Sequence, residues 1–452
     1  MAFGIGTQVI RQLREFAELA GVYIGSRGTA GEVNESARAQ LATADFFRSF
    51  PIFSGEAYRR LNPDLARSID PFWHASEYGL YEGRPLFEAA TIEAALGTLD
   101  WGDSTQTGDF ALKNSLTGAR FLVLVSSLGN FFMRELAERL ASDLRLAGAK
   151  VELANEKMNP ARVKSNKTVV IVAPHEFFLL GRGGHVWRRA LGKVGFYALN
   201  TEQPQTPWFN QCFKYLLLAK GVIDLSPQTA SIFSRMGVKA CHYVPSFSLS
   251  DAPYDSFVPA QHPLLKAYPD LLGVARNTDA LLSARPLDVS FIGGPSPRRE
   301  RFFGESASLL SRWRCLIDYR KNLRGPIQWG RNNRHEIGFG HFLARHSKVY
   351  LNVHRDQFGF FEVHRMVMQG MANGAAVVTD QCMKHPDFSI GVHYMQDDLH
   401  QIPKLIDWLL GSPEGRQKCD EVARAGYEAY RDKWSSERTT NVLSGLFRTG
   451  EG

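Results

Sequence analysis

Several features are scarce or missing in this 452-residue chain, and each absence excludes something. Its five cysteines, Cys212, Cys241, Cys315, Cys382 and Cys419, are odd in number and widely spaced, with no Cys-x-x-Cys pair. Neither a disulfide framework nor a cysteine-ligated zinc site fits that pattern, and a reducing compartment is expected. Long apolar runs are missing too. Phe121–Val125 and Val169–Ala173 are among the longest, far short of the ~20 residues a membrane-spanning helix needs. The first residues, MAFGIGTQVIRQLREF, lack the apolar core and small-residue cleavage site of a signal peptide, so a cytoplasmic location is expected. No Asp-x-Asp pair is present to hold a divalent ion. The glycine-rich Gly181–His185 stretch lacks the Gly-Lys-Ser/Thr ending of a P-loop, so kinase and ATPase chemistry are not supported.

What remains is an ordinary globular composition, 44% hydrophobic, 22% charged and 12% aromatic, on a chain long enough for two or three domains. The net charge of +7 is concentrated. Between Arg298 and Arg334 stand ten Lys and Arg against three acids, so this segment holds the whole excess. A compact cationic patch suits a small anion such as a pyrophosphate, or an anionic acceptor or membrane surface. A solvated helix face is the simpler reading for Arg312, Arg314 and Arg320. Nucleic-acid binding is not expected, because the charge is confined and no recognition module accompanies it.

Residues 1–115 read as a helical accessory region, opening on an amphipathic pattern of Val9, Ile10, Leu13, Phe16 and Ala17. Asn62-Pro63-Asp64 and Asp70-Pro71 are helix starts, and Gly79 and Gly83 are stops. Through Tyr58, Asn62, Pro63, Asp64, Asp70, Pro71, Gly79, Glu82, Gly83 and Arg84, this stretch resembles a small module found beside bacterial polysaccharide glycosyltransferases. That resemblance indicates no chemistry.

From Arg120 short apolar runs alternate with helical periodicity. Strands are expected at Phe121–Ser127, Lys150–Ala154, Thr168–Ala173, Gly195–Asn200 and Gly221–Leu225, and a helix over Phe131–Leu146. A second series follows: Leu287–Gly294, Lys348–His354, a helix over Phe361–Ala372, Ala375–Asp380, then helices from Asp398 to Trp434. Alternating strands and helices imply parallel sheets covered on both faces. The expected division is a helical region 1–115, a Rossmann-like domain 116–255, a linker 256–285, a second Rossmann-like domain 286–430 and a tail 431–452. Two such domains would face a cleft, with ligands beyond the carboxyl ends of the strands.

Several residues could carry chemistry. Gly293 and Gly294 followed by Arg298 and Arg299 form a strand, a glycine turn and then guanidinium groups, a combination that lets a backbone approach a phosphate and supplies paired donors. Arg331 lies in the same basic segment. Further on, His354 and Arg355 end a strand, and His364 and Arg365 lie in the first turn of the next helix, where cations are unfavourable unless partnered. Met366, Val367, Met368 and Met371 read as core.

Together, Phe-Ile-Gly…Arg-Arg and Leu-Asn-Val-His-Arg…Ala-Asn-Gly-Ala-Ala-Val-Val-Thr-Asp resemble the donor-binding half of GT-B glycosyltransferases. The similarity is to the group-1-like branch that includes spore-maturation-type proteins. Ala198–Gln203, Asp224–Ser226 and Val244–Ser246 resemble the acceptor half, and the likeness covers roughly residues 118–430. It implies a nucleotide-sugar donor held by the second domain, a glycan, glycolipid or protein acceptor, and no metal or other cofactor. Arg298, Arg299, Arg331, His354, Arg355, His364 and Arg365 would bind the diphosphate, Gln369 the ribose or sugar, and Gly293, Gly294 and Gly374 would allow close backbone approach. Many retaining members carry two glutamates eight apart in this helix. Here Gln369 stands at the second position and Glu362 only seven before it, so retaining chemistry is not implied.

In the first domain, Ser126, Ser127, Gly129, His175, Glu176, Glu202 and Gln203 follow strands. His175 and Glu202 are the candidates for a general base, the alternative for a strand-end histidine being a structural role. The expected activity is sugar transfer from a nucleotide diphosphate to an acceptor. A non-catalytic glycan-binding or scaffolding protein on the same fold, or a nucleotide-sugar epimerase, are the rivals. Acceptor recognition, self-association and docking to a membrane-bound assembly are roles open to residues 1–115. The sugar, nucleotide, acceptor and stereochemical outcome are not legible.

Overall fold

The computed structural model describes residues 42–98, 116–247, 257–272, 282–319, 331–357 and 359–448. The amphipathic pattern at Val9–Ala17 lies outside them. The described chain forms two compact units, one of residues 42–243 with 439–448, the other of residues 244–438.

The first unit is built on six parallel strands: β1 (Arg120–Val125), β2 (Lys150–Asn155), β3 (Thr168–Val172), β4 (Phe196–Asn200), β5 (Val222–Asp224) and β6 (Ala240–His242). Their order is β2-β1-β3-β4-β5-β6, with Val123 opposite Val170 and Ala198 opposite Val222. Phe121–Val125 and Val169–Val172 are buried throughout. Burial on both faces is why these strands read as unbroken apolar runs rather than alternating ones. The helix Phe131–Leu146 has the bounds its periodicity predicts, with Asn130 as its cap, accepting from the Phe132 N–H at 3.1 Å.

Residues 42–98 rest on this sheet's helical layer. Phe50 stacks on Phe213 at 5.3 Å between centroids, and Phe87 meets the same ring edge-on at 5.1 Å. The module-like pattern is structural. Asn62 Nδ2 donates to the Tyr58 and Pro85 carbonyls, Asp70 caps the short helix Pro71–His74, and Arg84 pairs with Asp64 and Glu82.

The second unit holds β7 (Leu287–Gly293), β8 (Cys315–Tyr319), β9 (Ser347–Asn352), β10 (Ala376–Asp380) and β11 (Met395–Asp397), all parallel, in the order β11-β10-β9-β7-β8. Val289, Phe291, Val349, Leu351 and Val378 pack on one face against Ile402, Ile406 and Leu409 of the helix Ile402–Gly411. On the other, Ile292 and Leu316 meet Phe339 and Leu343 of the helix Arg331–His346. Phe257, Leu265 and Leu271, from the stretch expected to be a linker, belong to this second core. One element differs in kind. The helix expected over Phe361–Ala372 is a π-helix, Val363–Gly370, followed by a 3₁₀ turn, Met371–Asn373.

Two parallel α/β units thus match the expected pair of Rossmann-like domains. The final helix, Ser436–Arg448, belongs to the first of them from Thr439 onward: Phe447 packs edge-on against Phe121 at 4.8 Å and Tyr197 at 4.7 Å.

Candidate functional site

In both sheets the first strand is followed outward by the second on one side and by the third on the other. The chain therefore reverses direction between β1 and β3, and again between β7 and β9. Open parallel sheets bind ligands beyond the carboxyl ends of the strands at such a switch point.

At the second switch point, β7 ends in Gly293-Gly294 and leads into the helix Pro297–Leu310, capped by Ser296, whose hydroxyl accepts from the Arg299 N–H at 3.2 Å and donates to the Arg355 carbonyl at 3.1 Å. Space beside Gly294 is open: a side chain there would meet nothing within 4 Å. Arg298 donates to the His354 carbonyl at 3.0 Å and pairs with Asp380 at the end of β10. The His354 ring sits between the Asp380 carboxylate, 2.5 Å from Nδ1, and the Phe360 carbonyl, 2.9 Å from Nε2. Both neighbours accept, so both ring nitrogens carry protons and the ring is an imidazolium. Burial pulls the His354 pKa down, but Asp380 outweighs it and the net shift is upward. Asp380 shows the converse: burial raises its pKa, and His354 and Arg298 bring it below the usual carboxylate value. Gly359 makes the arrangement possible, since a Cβ there would lie 2.7 Å from the buried His354 ring.

The remaining expected residues fall into distinct places. Arg299 is buried, and its guanidinium donates to the Val353 and Gly294 carbonyls at 2.8 and 2.9 Å. Burial, with Arg365 second, brings its pKa down to about 10. It fastens the turn rather than facing outward. Arg355 is exposed. Arg365 reaches the Ile292 carbonyl at the end of β7 and pairs with Glu362 at 3.0 Å, while His364 beside it is half-buried. Gln369 is fully buried and accepts from the Tyr350 hydroxyl, so its side chain points into the core. Gly374 takes a left-handed conformation, φ 62°, to end the 3₁₀ turn. The side chain of Arg331 lies outside the described residues. Asp380, the cluster's hub, went unselected in the sequence, although a polar residue closing an apolar strand run is the available signal.

At the first switch point the charges have the other sign. Ser127 donates from its N–H to Glu156 at 2.6 Å and from its hydroxyl to the same carboxylate. After β3 the chain turns through Ala173, the one non-glycine residue with positive φ (51°) among those described, into the helix Pro174–Leu179. His175 is buried, its Nε2 3.3 Å from Glu202 and its Nδ1 without a hydrogen-bond partner. Burial drives its pKa down to about 3, so the ring is neutral. Thr206 fixes the other Glu202 oxygen at 3.0 Å. The structure thus brings His175 and Glu202 together. Glu176 accepts from the Asn130 N–H at 2.9 Å and lies so close to Gly129 that a Cβ there would be 2.1 Å from its Oε2. Burial raises the Glu176 pKa to about 8, against the Asn130 hydrogen bond and with a further push from Glu202. Asp224 is raised to about 7 by burial. Among the described residues no cluster of His, Cys, Asp and Glu forms a metal-binding group, and no helix is long and apolar enough to cross a membrane.

No protein-family model matches the sequence, and no curated protein matches it. Solved structures similar to the chain include T4 phage BGT in complex with UDP and Mn²⁺, at 13% identity, covering 73% of this chain and 99% of that one, with a TM-score of 0.43. Anabaena Alr3699/HepE in complex with UDP-glucose is 10% identical, covering 72% and 99%, at 0.42. Sucrose-phosphate synthase from Thermosynechococcus elongatus is 12% identical, covering 73% and 98%, at 0.40.

Proposed function

We propose that this chain is a GT-B glycosyltransferase, which moves a sugar from a nucleotide diphosphate to a glycan, glycolipid or protein acceptor. One observation carries the reading. At the second switch point stand an open glycine turn, the start of a capped helix and the Arg298 guanidinium, held from beneath by Asp380 and the His354 imidazolium, with the exposed Arg355 next along the strand end and its carbonyl bonded to the helix cap. Backbone amides at a helix start and guanidinium forks are the groups that bind a diphosphate. In the reaction they would stabilise the negative charge gathering on the leaving group, in place of a divalent ion. The second unit then holds the donor, and the first, lined by carboxylates, meets the hydroxyl of the acceptor.

The test is a thermal-shift screen with UDP, GDP, CDP, CMP, dTDP and their common sugars, repeated with Arg355→Ala. That side chain is exposed, so its loss leaves the fold intact. A cognate nucleotide at a hundred times its Kd stabilises by about 2.7 kcal/mol, a rise of several degrees, and the variant loses most of it. A screen flat for every nucleotide overturns the reading. A second reading, a glycan-binding protein without turnover, draws on Gln369, an uncharged and inward-facing side chain at a position where retaining enzymes carry glutamate. Donor binding without sugar transfer would favour it.

A further inference from the structure

The first unit carries another cluster of charge, on its helical layer rather than at the strand ends. Arg188 stands in the last turn of the helix Gly181–Arg189, and Lys214 in the middle of the helix Pro207–Leu218. Thr206, which holds Glu202, caps the second of these helices. At 1.5 Å per residue, Lys214 lies about 12 Å further along its axis, away from the switch-point carboxylates. Tyr215 joins the two cations. Its buried ring stacks on Phe178 at 4.3 Å, the Lys214 ammonium is 5.4 Å from the ring centroid, and the Arg188 guanidinium lies beside the phenol.

What this cluster lacks is a counter-charge. Among the described residues neither Arg188 nor Lys214 forms an ion pair. Lys214 has three N–H donors and one contact, to the Tyr81 carbonyl at 3.5 Å, the outer limit of a hydrogen bond. Arg188 Nε and the Tyr215 hydroxyl are enclosed without a hydrogen-bond partner. Arg188 and Arg189 each place a guanidinium nitrogen 2.9 Å from a nitrogen of the His185 ring, and a neutral imidazole has one lone pair to offer two such donors. Burial, with Arg188 second, brings the Lys214 pKa down to about 8, and no carboxylate acts against them. The helix dipole favours cations in a last turn, which accounts for Arg188 and Arg189. It does not account for a half-buried lysine in mid-helix, held against a like charge.

We propose that Arg188 and Lys214 form a binding site for a phosphate group on the first unit. Two full cations without a carboxylate match a dianion. The planar fork of Arg188 and the point charge of Lys214 engage different oxygens of one tetrahedral centre, and the Tyr215 hydroxyl supplies a neutral donor beside them. Both cationic residues are partly exposed, so the ion is reached from solvent. The chemistry is that of a phosphate monoester, free in solution or at the head of a lipid.

The test follows the Tm of the full chain in sodium phosphate against sodium chloride at matched ionic strength. Phosphate should raise it, and Lys214→Met and Arg188→Gln should each need about tenfold more phosphate for the same rise. Phosphate bound at the glycine turn of the second unit contributes equally to all three proteins and cancels from the comparison. Lys214→Met keeps the length of the side chain and removes a charge held against another. Without phosphate its Tm should therefore equal or exceed the wild type's, which separates loss of the site from loss of the fold. A parallel arm sediments the chain with phosphatidylcholine vesicles, with and without phosphatidic acid. Stabilisation by inorganic phosphate that both variants lose assigns a soluble ligand. Binding to phosphatidic acid vesicles alone, lost in both variants, assigns a lipid headgroup. No response in either arm, or a response that either variant keeps within about threefold, overturns the site.

Discussion

Beyond β2, β3 and β4 of the first sheet stand Glu156, Glu176 and Glu202; beyond β7 and β9 of the second stand Arg298, His354 and Arg355, the first two of them on Asp380 at the end of β10. The scaffold is the same, with each switch point lying between the first and third strands and followed by a capped helix. What differs is the occupant. In the first unit the Asn130 N–H at the helix start already holds the protein's own carboxylate. In the second, the Asp380 carboxylate is neutralised by an arginine and an imidazolium, Glu362 pairs with Arg365, and the glycine turn opens onto free space. Strand order decides where a ligand can sit, and the few residues after each strand decide which charge it brings.

Opposite substitutions should separate the two edges. The largest effect is expected at the basic one. Asp380→Ala strands a buried imidazolium and Arg298 without their counter-charge, and should cost about 3–5 kcal/mol in urea unfolding; a loss below ~1 kcal/mol would mean that the cluster does not hold this edge together. At the acidic edge the sign reverses with pH. The folded-state pKa of Glu176 lies above its ordinary value of 4.5, so the folded chain binds the extra proton and loses stability as pH rises from there to about 8. Glu176→Gln removes that dependence. Its Tm should exceed the wild type's by a margin that widens between pH 5 and 8, reaching about 2–4 °C for each kcal/mol recovered, and a margin constant with pH would contradict the raised pKa. The smallest effects belong to what the edges share: Asn130→Ala and Ser296→Ala each remove a helix cap and should cost about 1 kcal/mol, with Ser296 the more costly because it also holds the Arg355 carbonyl.

The strands and most helices were legible because both sheets are buried on two faces and write themselves as apolar runs; the helix Phe131–Leu146 and the strand ending at Asp380 came through with their bounds or close to them. The direction of individual side chains was not. Spacing places Gln369 in the helix after His364, but only the wider π turn and the Tyr350 hydroxyl explain why it faces inward. Arg298 and Arg299 are adjacent and alike in sequence, yet one pairs with a carboxylate and the other is spent on two carbonyls. Asp380 and Glu176 gain their importance from residues 26 and 46 positions away, His354 and Asn130, a relation that no local pattern records.

The placement of Phe447 has a consequence for how the protein comes into being. Chains leave the ribosome from the amino end, and amino-terminal domains ordinarily fold while the rest is still being made. Here Phe121 and Tyr197, on β1 and β4, are covered by a helix that begins only at Ser436. The first sheet must wait for the whole second unit to be synthesised before its apolar surface is closed. A nascent chain stalled anywhere in between exposes that surface to chaperones and to its neighbours.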